Sequence, residues 1–180
     1  MATLQTVPDT ARQFHPGEQA AQQRWGRPEL WTEQRREQLL WERIPEPLFA
    51  RIEAAPFFFL ATSNALGRCD CAFKGGGPGL VRMLSPTRLA FPHFEPRVPG
   101  NGAYMSLGNL LVNPHVSLLF VDFSDGGRLR VNGRASVGEA GGWRSLFPQA
   151  ECAVVVDVEL AVPSCPSYVP RLGPLAGGYA

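Results

Sequence analysis

Lys74 stands directly before a run of glycines, in Cys71-Ala72-Phe73-Lys74-Gly75-Gly76-Gly77-Pro78-Gly79. An ammonium next to backbone that turns without a Cβ suits an oxyanion, so the stretch raises the question of a phosphate cradle. A GxxxxGK[ST] loop places its lysine after the glycines at a helix start, and a dinucleotide fingerprint also needs a following helix. Here the lysine comes first, and "PGLVRML" reads as a strand. Both assignments fail on context. Two readings remain: a hairpin turn that uses positive φ, or a strand-end lysine that meets an anion on the polar face.

Two further stretches carry similar chemistry. In "RLRVNGRASV", Arg128, Arg130, Asn132, Arg134 and Ser136 share one face. Three guanidinium groups with no acid between them repel one another. An anionic ligand would relieve that repulsion, whereas a solvated outer sheet face is the plain alternative. In "GNGAYMSLGN", Asn101, Ser106 and Asn109 surround a helix start, where small polar groups either cap the helix or help seat a phosphate. No Ser-His-Asp or Cys-His set stands out, and His93 and His115 are the candidates for acid–base work. Cys69, Cys71, Cys152 and Cys165 form no CxxC pair and the histidines are scattered, which disfavours a zinc site. Cys69 and Cys71 share a strand face and read as small core residues.

The elements that position these residues change character along the chain. Residues 1–55 hold three of the four tryptophans and many Gln, Glu and Arg, and read as a helical extension. Its helices are expected over Glu18–Trp25, Glu29–Ile44 and Pro47–Ala54, the second stopped by Pro45. Residues 56–180 read as one β-rich domain. "FFFLATS" is a short apolar run bounded by turn residues, as in a central strand. "RCDCAFK" alternates, with Cys69, Cys71 and Phe73 on one side and Asp70, Ala72 and Lys74 on the other. "GLVRML", "RLAFP", "HVSLLFVDF", "RLRVNGRASV" and "CAVVVDVELAV" are further strands, with "SDGG" as a hairpin turn and a short helix over Tyr104–Val112. Six or seven strands with helices mainly at the ends argue for an antiparallel barrel, closed or nearly so.

Bulk properties narrow the function classes. The chain has 180 residues, is 44% hydrophobic and 18% charged, and carries net charge +1. It can bury a core, and nothing in its charge balance predicts a nucleic-acid partner. "MATLQTVPDTARQF" has no apolar signal core and no apolar run reaches membrane-spanning length, so a cytoplasmic protein with free thiols is expected.

Taken in order, "FFFLATSNALGR", "KGGGPGLVRML", "RLAFP", "GNGAYMSLGNLLVNPHVSLLF" and "RLRVNGRA" resemble the pyridoxamine 5′-phosphate oxidase-like family of FMN-binding split barrels. "VDVELAVPSCPSYVPRL" looks like that family's closing strand and turn, and "FHPGEQAAQQRWG" is similar to the helical extension of one bacterial subgroup. The resemblance implies a six-stranded antiparallel split barrel with added helices, a homodimer, and FMN in the cleft between subunits. It implies an FMN-dependent oxidoreductase acting on a small-molecule substrate. Alternatives are a non-catalytic binder of flavin, haem or another small molecule, and a member that has lost its cofactor. Carried onto this sequence, it places Lys74 and Gly75 beside the phosphate and ribityl chain, and Phe91 and Pro92 where strand backbone meets the flavin ring. It places Asn101, Ser106 and Asn109 on the phosphate side, Arg128 and Arg130 near the ring, and Arg171 in the closing segment. Met105 and Ser167 stand where the family carries basic residues, which implies weaker hold on a phosphate dianion.

Overall fold

The computed structural model describes residues 13–94 and 102–172. Seven strands form one antiparallel sheet: β1 Phe57–Ser63, β2 Cys69–Gly75, β3 Arg82–Ser85, β4 Arg88–Phe94, β5 His115–Val121, β6 Arg128–Glu139 and β7 Ala150–Ser164. Their order is β2-β1-β5-β6-β7-β4-β3, with β2 and β3 at the two open edges. The six strands that the family resemblance implies are therefore corrected to seven, matching the seven strand-like runs of the sequence. The sheet curls strongly. Phe58 on β1 and Phe91 on β4 lie four strands apart, roughly 19 Å in a flat sheet, yet their ring centroids are 5.0 Å apart.

Curling gives the sheet an inner and an outer face. Phe58, Leu60, Leu89, Phe91, Leu118, Val131, Val154 and Val156 are buried together on the inner face. Burying each such side chain contributes about 1.5–3 kcal/mol, and strict alternation assigns the faces: β1 alternates partly buried and buried residues from Phe57 to Leu60. A bulge between Asn132 and Gly133 lets β6 keep this alternation while pairing with β7. A Cβ at Gly133 would lie 2.1 Å from the Asp157 carbonyl oxygen, so glycine is required there.

The helices are α1 Pro16–Trp25, α2 Glu33–Leu39, α3 Phe49–Ala54 and α4 Met105–Val112. The single helix expected over Glu29–Ile44 is broken. Thr32 adopts extended backbone and its hydroxyl caps α2 by accepting from the Arg35 N–H at 3.2 Å, so Pro28–Leu30 forms a separate 3₁₀ turn. After α2 the chain turns extended, and Trp41 exchanges backbone hydrogen bonds with Ala161 at the end of β7. Ile44 and Ile52 from this stretch enter the same core as the strands.

The glycine stretch is not a hairpin. β2 and β3 follow one another in sequence but occupy opposite edges of the sheet. Gly77 and Gly79 do adopt positive φ, at 81° and 86°, as the chain crosses between those edges. The loop is held from below: the N–H groups of Gly76 and Gly77 donate to the Pro56 carbonyl and that of Gly79 to Glu53.

Candidate functional site

β2 is an edge strand whose inner face is polar. Its register sets Lys74 opposite Phe58, and Asp70 opposite Thr62. Ser106, in the first turn of α4, is 6% exposed, and its Oγ donates to Asp70 Oδ2 at 3.1 Å. One turn later Asn109 Nδ2 donates to the Thr62 hydroxyl at 3.0 Å. From the far side of the sheet, β4, next to the edge strand β3, brings His93, whose ring lies 5.4 Å from that of Tyr104. Tyr104 enters α4 with φ of 47°, a left-handed conformation uncommon outside glycine and asparagine. The curl of the sheet thus gathers Asp70, Lys74, His93, Tyr104 and Ser106 from β2, β4, α4 and the loop that leads into α4.

Electrostatics follow from partial burial. Burial lowers the pKa of Lys74 below the usual lysine value, and the carboxylate of Asp70 pulls it part of the way back. For His93, burial and then the positive charge of Lys74 lower the pKa, opposed by Glu151. The His93 imidazole is therefore neutral at pH 7. Its Nε2 is buried without a hydrogen-bond partner among the described residues, and Lys74 makes no ion pair among them. An ammonium and an orphaned imidazole nitrogen, both partly desolvated, form a place where an anion gains more than it would in water.

The outer face holds a different set. Arg130 is exposed, and Arg128 is half-buried, on the strand next to Ser117 and Leu119. With Phe59, Ala61, Cys71 and Ser164 they line a depression of about 390 Å³. The arginines are partly engaged. Arg128 donates to the Cys165 carbonyl, Arg134 Nη1 lies 3.0 Å from His115 Nε2, and Asn132 accepts from the Ser117 hydroxyl at 2.8 Å. Arg171 donates from Nη1 to the Ser124 carbonyl at 3.2 Å. Beside them Phe57 stacks on Phe73 at 5.2 Å, and Phe73 remains 61% exposed.

Of the residues expected at a site, Lys74, Ser106 and Asn109 come together on the inner face. Arg128 and Arg130 lie on the outer face, with Arg171 at the β5–β6 turn. Gly75 ends β2, where a Cβ would meet the Phe73 ring at 2.8 Å. Phe91 is a core residue at 2% exposure, and Pro92 is buried beside it. Asn101 lies outside the described residues. Cys69 and Cys71 are exposed, not core residues as the sequence suggested, because it is Asp70, Ala72 and Lys74 that β2 turns inward. Sequence reasoning did not join Asp70 and His93 to Lys74. The spacing of Asp70 and Lys74 on one strand face was the available signal for the first; nothing local signals the second, which depends on the curl.

No protein-family model matches the chain, and no curated protein does. Solved structures do match. HupZ of Group A Streptococcus aligns at TM-score 0.52 and 14% identity, over 72% of this chain and all of that one. An FMN-binding protein from Syntrophomonas wolfei aligns at TM-score 0.51 and 12% identity, over 66% of this chain and 82% of that one. A provisionally assigned pyridoxamine 5′-phosphate oxidase from Lactobacillus delbrueckii aligns at TM-score 0.50 and 21% identity, over 67% and 94%. At these identities the likeness is one of architecture: the chain has the fold of these FMN-binding and pyridoxamine 5′-phosphate oxidase-like structures, the family its motif order resembles.

Proposed function

We propose that the chain binds FMN and acts as a flavin-dependent oxidoreductase on a small molecule. The observation that carries this reading is the partly buried ammonium of Lys74, electrostatically coupled to His93, whose buried Nε2 has no partner among the described residues, as Lys74 has no ion pair among them. A phosphate there receives one cation and, from the Nε2–H tautomer of His93, one neutral donor, and its charge raises the depressed lysine pKa again. Asp70 opposes the anion, and the Ser106 hydroxyl that donates to it softens that opposition. The bound flavin would supply hydride or single-electron transfer, while the chain binds it, orients it and excludes water.

Lys74 faces inward and Arg130 outward, so one flavin lying on a single face does not meet both within one chain. A homodimer reconciles them: Arg130 of one copy serves the flavin held by the other. The exposed Phe73 stack on the same outer face supports that face as the contact.

Titration of FMN, followed by quenching of its fluorescence, tests the reading. Saturable quenching that weakens in Lys74→Ala and in Arg130→Ala is expected. A colourless protein that takes up no added FMN overturns it. A second reading, a flavin binder without turnover, draws on a separate observation: Ser106, Asn109, Arg128 and Arg171 already hold intrachain partners. A flavin-loaded protein that NADH, NADPH and a reduced deazaflavin all leave oxidised would favour it.

A further inference from the structure

A cavity of about 470 Å³ lies under α3 and the β5–β6 hairpin. Neither Lys74, Asp70, His93 nor Ser106 lines it. Its walls are largely apolar, and four of them are aromatic: Trp41, Phe57, Phe120 and Phe123. The volume falls within the range of pockets that enclose small organic ligands, about 300–1,000 Å³.

Charge at the cavity is unequal. Arg51, Arg128 and Asp122 line it, two cations against one anion. Arg51 is already matched, by Asp125 at 2.6 Å and Asp122 at 3.2 Å. Arg128 is not. It donates to the Cys165 carbonyl, makes no ion pair among the described residues, and its Nε is buried with no acceptor. Arg128 also lines the outer depression, so it stands where the cavity meets that depression. A buried guanidinium N–H without an acceptor costs free energy that a ligand carboxylate would recover.

We propose that this cavity is a binding site for an aromatic small molecule bearing one anionic group, its ring among Trp41, Phe57 and Phe120 and its anion on Arg128. The site is separate from the Lys74 cluster and does not rest on the flavin reading.

The test is a titration of the protein with 2-naphthoate, read through quenching of tryptophan emission, with Trp41→Phe used to assign the signal. Saturable quenching that Trp41→Phe abolishes is expected. The uncharged 2-naphthalenemethanol should bind about tenfold more weakly, the difference one charge-assisted hydrogen bond makes. Arg128→Gln should bring the two ligands to equal affinity. Ala54→Trp fills the mouth from an exposed position at the end of α3, where folding is least disturbed, and should weaken both ligands at least about tenfold. Absence of saturable quenching, or binding that neither Arg128→Gln nor Ala54→Trp alters, overturns the proposal. Lys74→Ala separates the two sites: it should lower FMN affinity and leave naphthoate binding as in the wild type.

Discussion

The inner and outer faces of the sheet carry similar residue types in opposite circumstances. Each has phenylalanines, a hydrogen-bonded serine and at least one cation. On the inner face, Phe58 is fully buried, Ser106 is 6% exposed, and Lys74 is desolvated enough to lose proton affinity. On the outer face, Phe73 is 61% exposed, and Arg130 stands in solvent. Water screens an exposed charge such as Arg130, whereas its partial exclusion biases the inner ones. Chemically distinctive behaviour is therefore expected from the inner cluster, although the outer face has more formal charge.

Paired substitutions sharpen that contrast. Phe58→Ala should cost about 3–5 kcal/mol, the range for a buried phenylalanine, while Phe73→Ala should cost under about 1 kcal/mol, as for a surface change. Urea denaturation measures both, and equal losses would erase the distinction between the faces. The serines come next. Ser106→Ala removes a donor from a carboxylate and should cost about 1.5–3 kcal/mol, whereas Ser117→Ala, which removes a donor from Asn132, should cost about 0.5–1.5 kcal/mol.

Lys74 gives a smaller effect with a defined pH dependence. Its folded pKa lies below the ordinary value of 10.5, so the unfolded chain holds the proton more tightly. Stability of the wild type should rise with pH between the folded pKa and 10.5, and the penalty is fully present below that window. Lys74→Met should be more stable than wild type at pH 7 and lose that advantage by pH 10.5. Urea midpoints at the two pH values check this; a variant no more stable at pH 7 removes desolvation as the cause. The smallest effect belongs to an exposed contact on neither face. Arg51 and its hydrogen bond first, then the Gly127 N–H, hold the Asp125 carboxyl below its usual range. Its contribution is present above the ordinary aspartate value and lost as pH falls through the folded one. Asp125→Asn should therefore shift the midpoint slightly at pH 7 and leave it unchanged in strong acid.

Alternation made much of this molecule legible in advance. β6 could be divided into faces residue by residue, because apolar and polar side chains alternate from Arg128 to Ser136. The hairpin at Ser124–Gly127 and the short helix before Pro114 follow from local turn and breaker residues. Sheet order was not legible, since it depends on long-range pairing that no local signal encodes. That is why "KGGGPG" reads as a hairpin in sequence and is instead a crossing between two edges. The same limit hid His93, which comes within the electrostatic reach of Lys74 only through curvature. The cysteines of β2 misled for another reason: type alone favours burial of cysteine, yet the strand's phase is fixed by Leu60 and Thr62 on its neighbour. Their cross-strand partners, Ala72 and Asp70, turn inward with them.

β7 is the last strand in sequence and the longest, and it alone joins β6 to β4. Arg88 through Phe94 pair with residues from Asp157 down to Ala150, a separation of more than fifty positions. During synthesis the β3–β4 hairpin leaves the ribosome long before its partner exists, with Leu89 and Phe91 uncovered. Closure of so long a loop makes this pairing slow, and the waiting hairpin is the part of the nascent chain most exposed to aggregation.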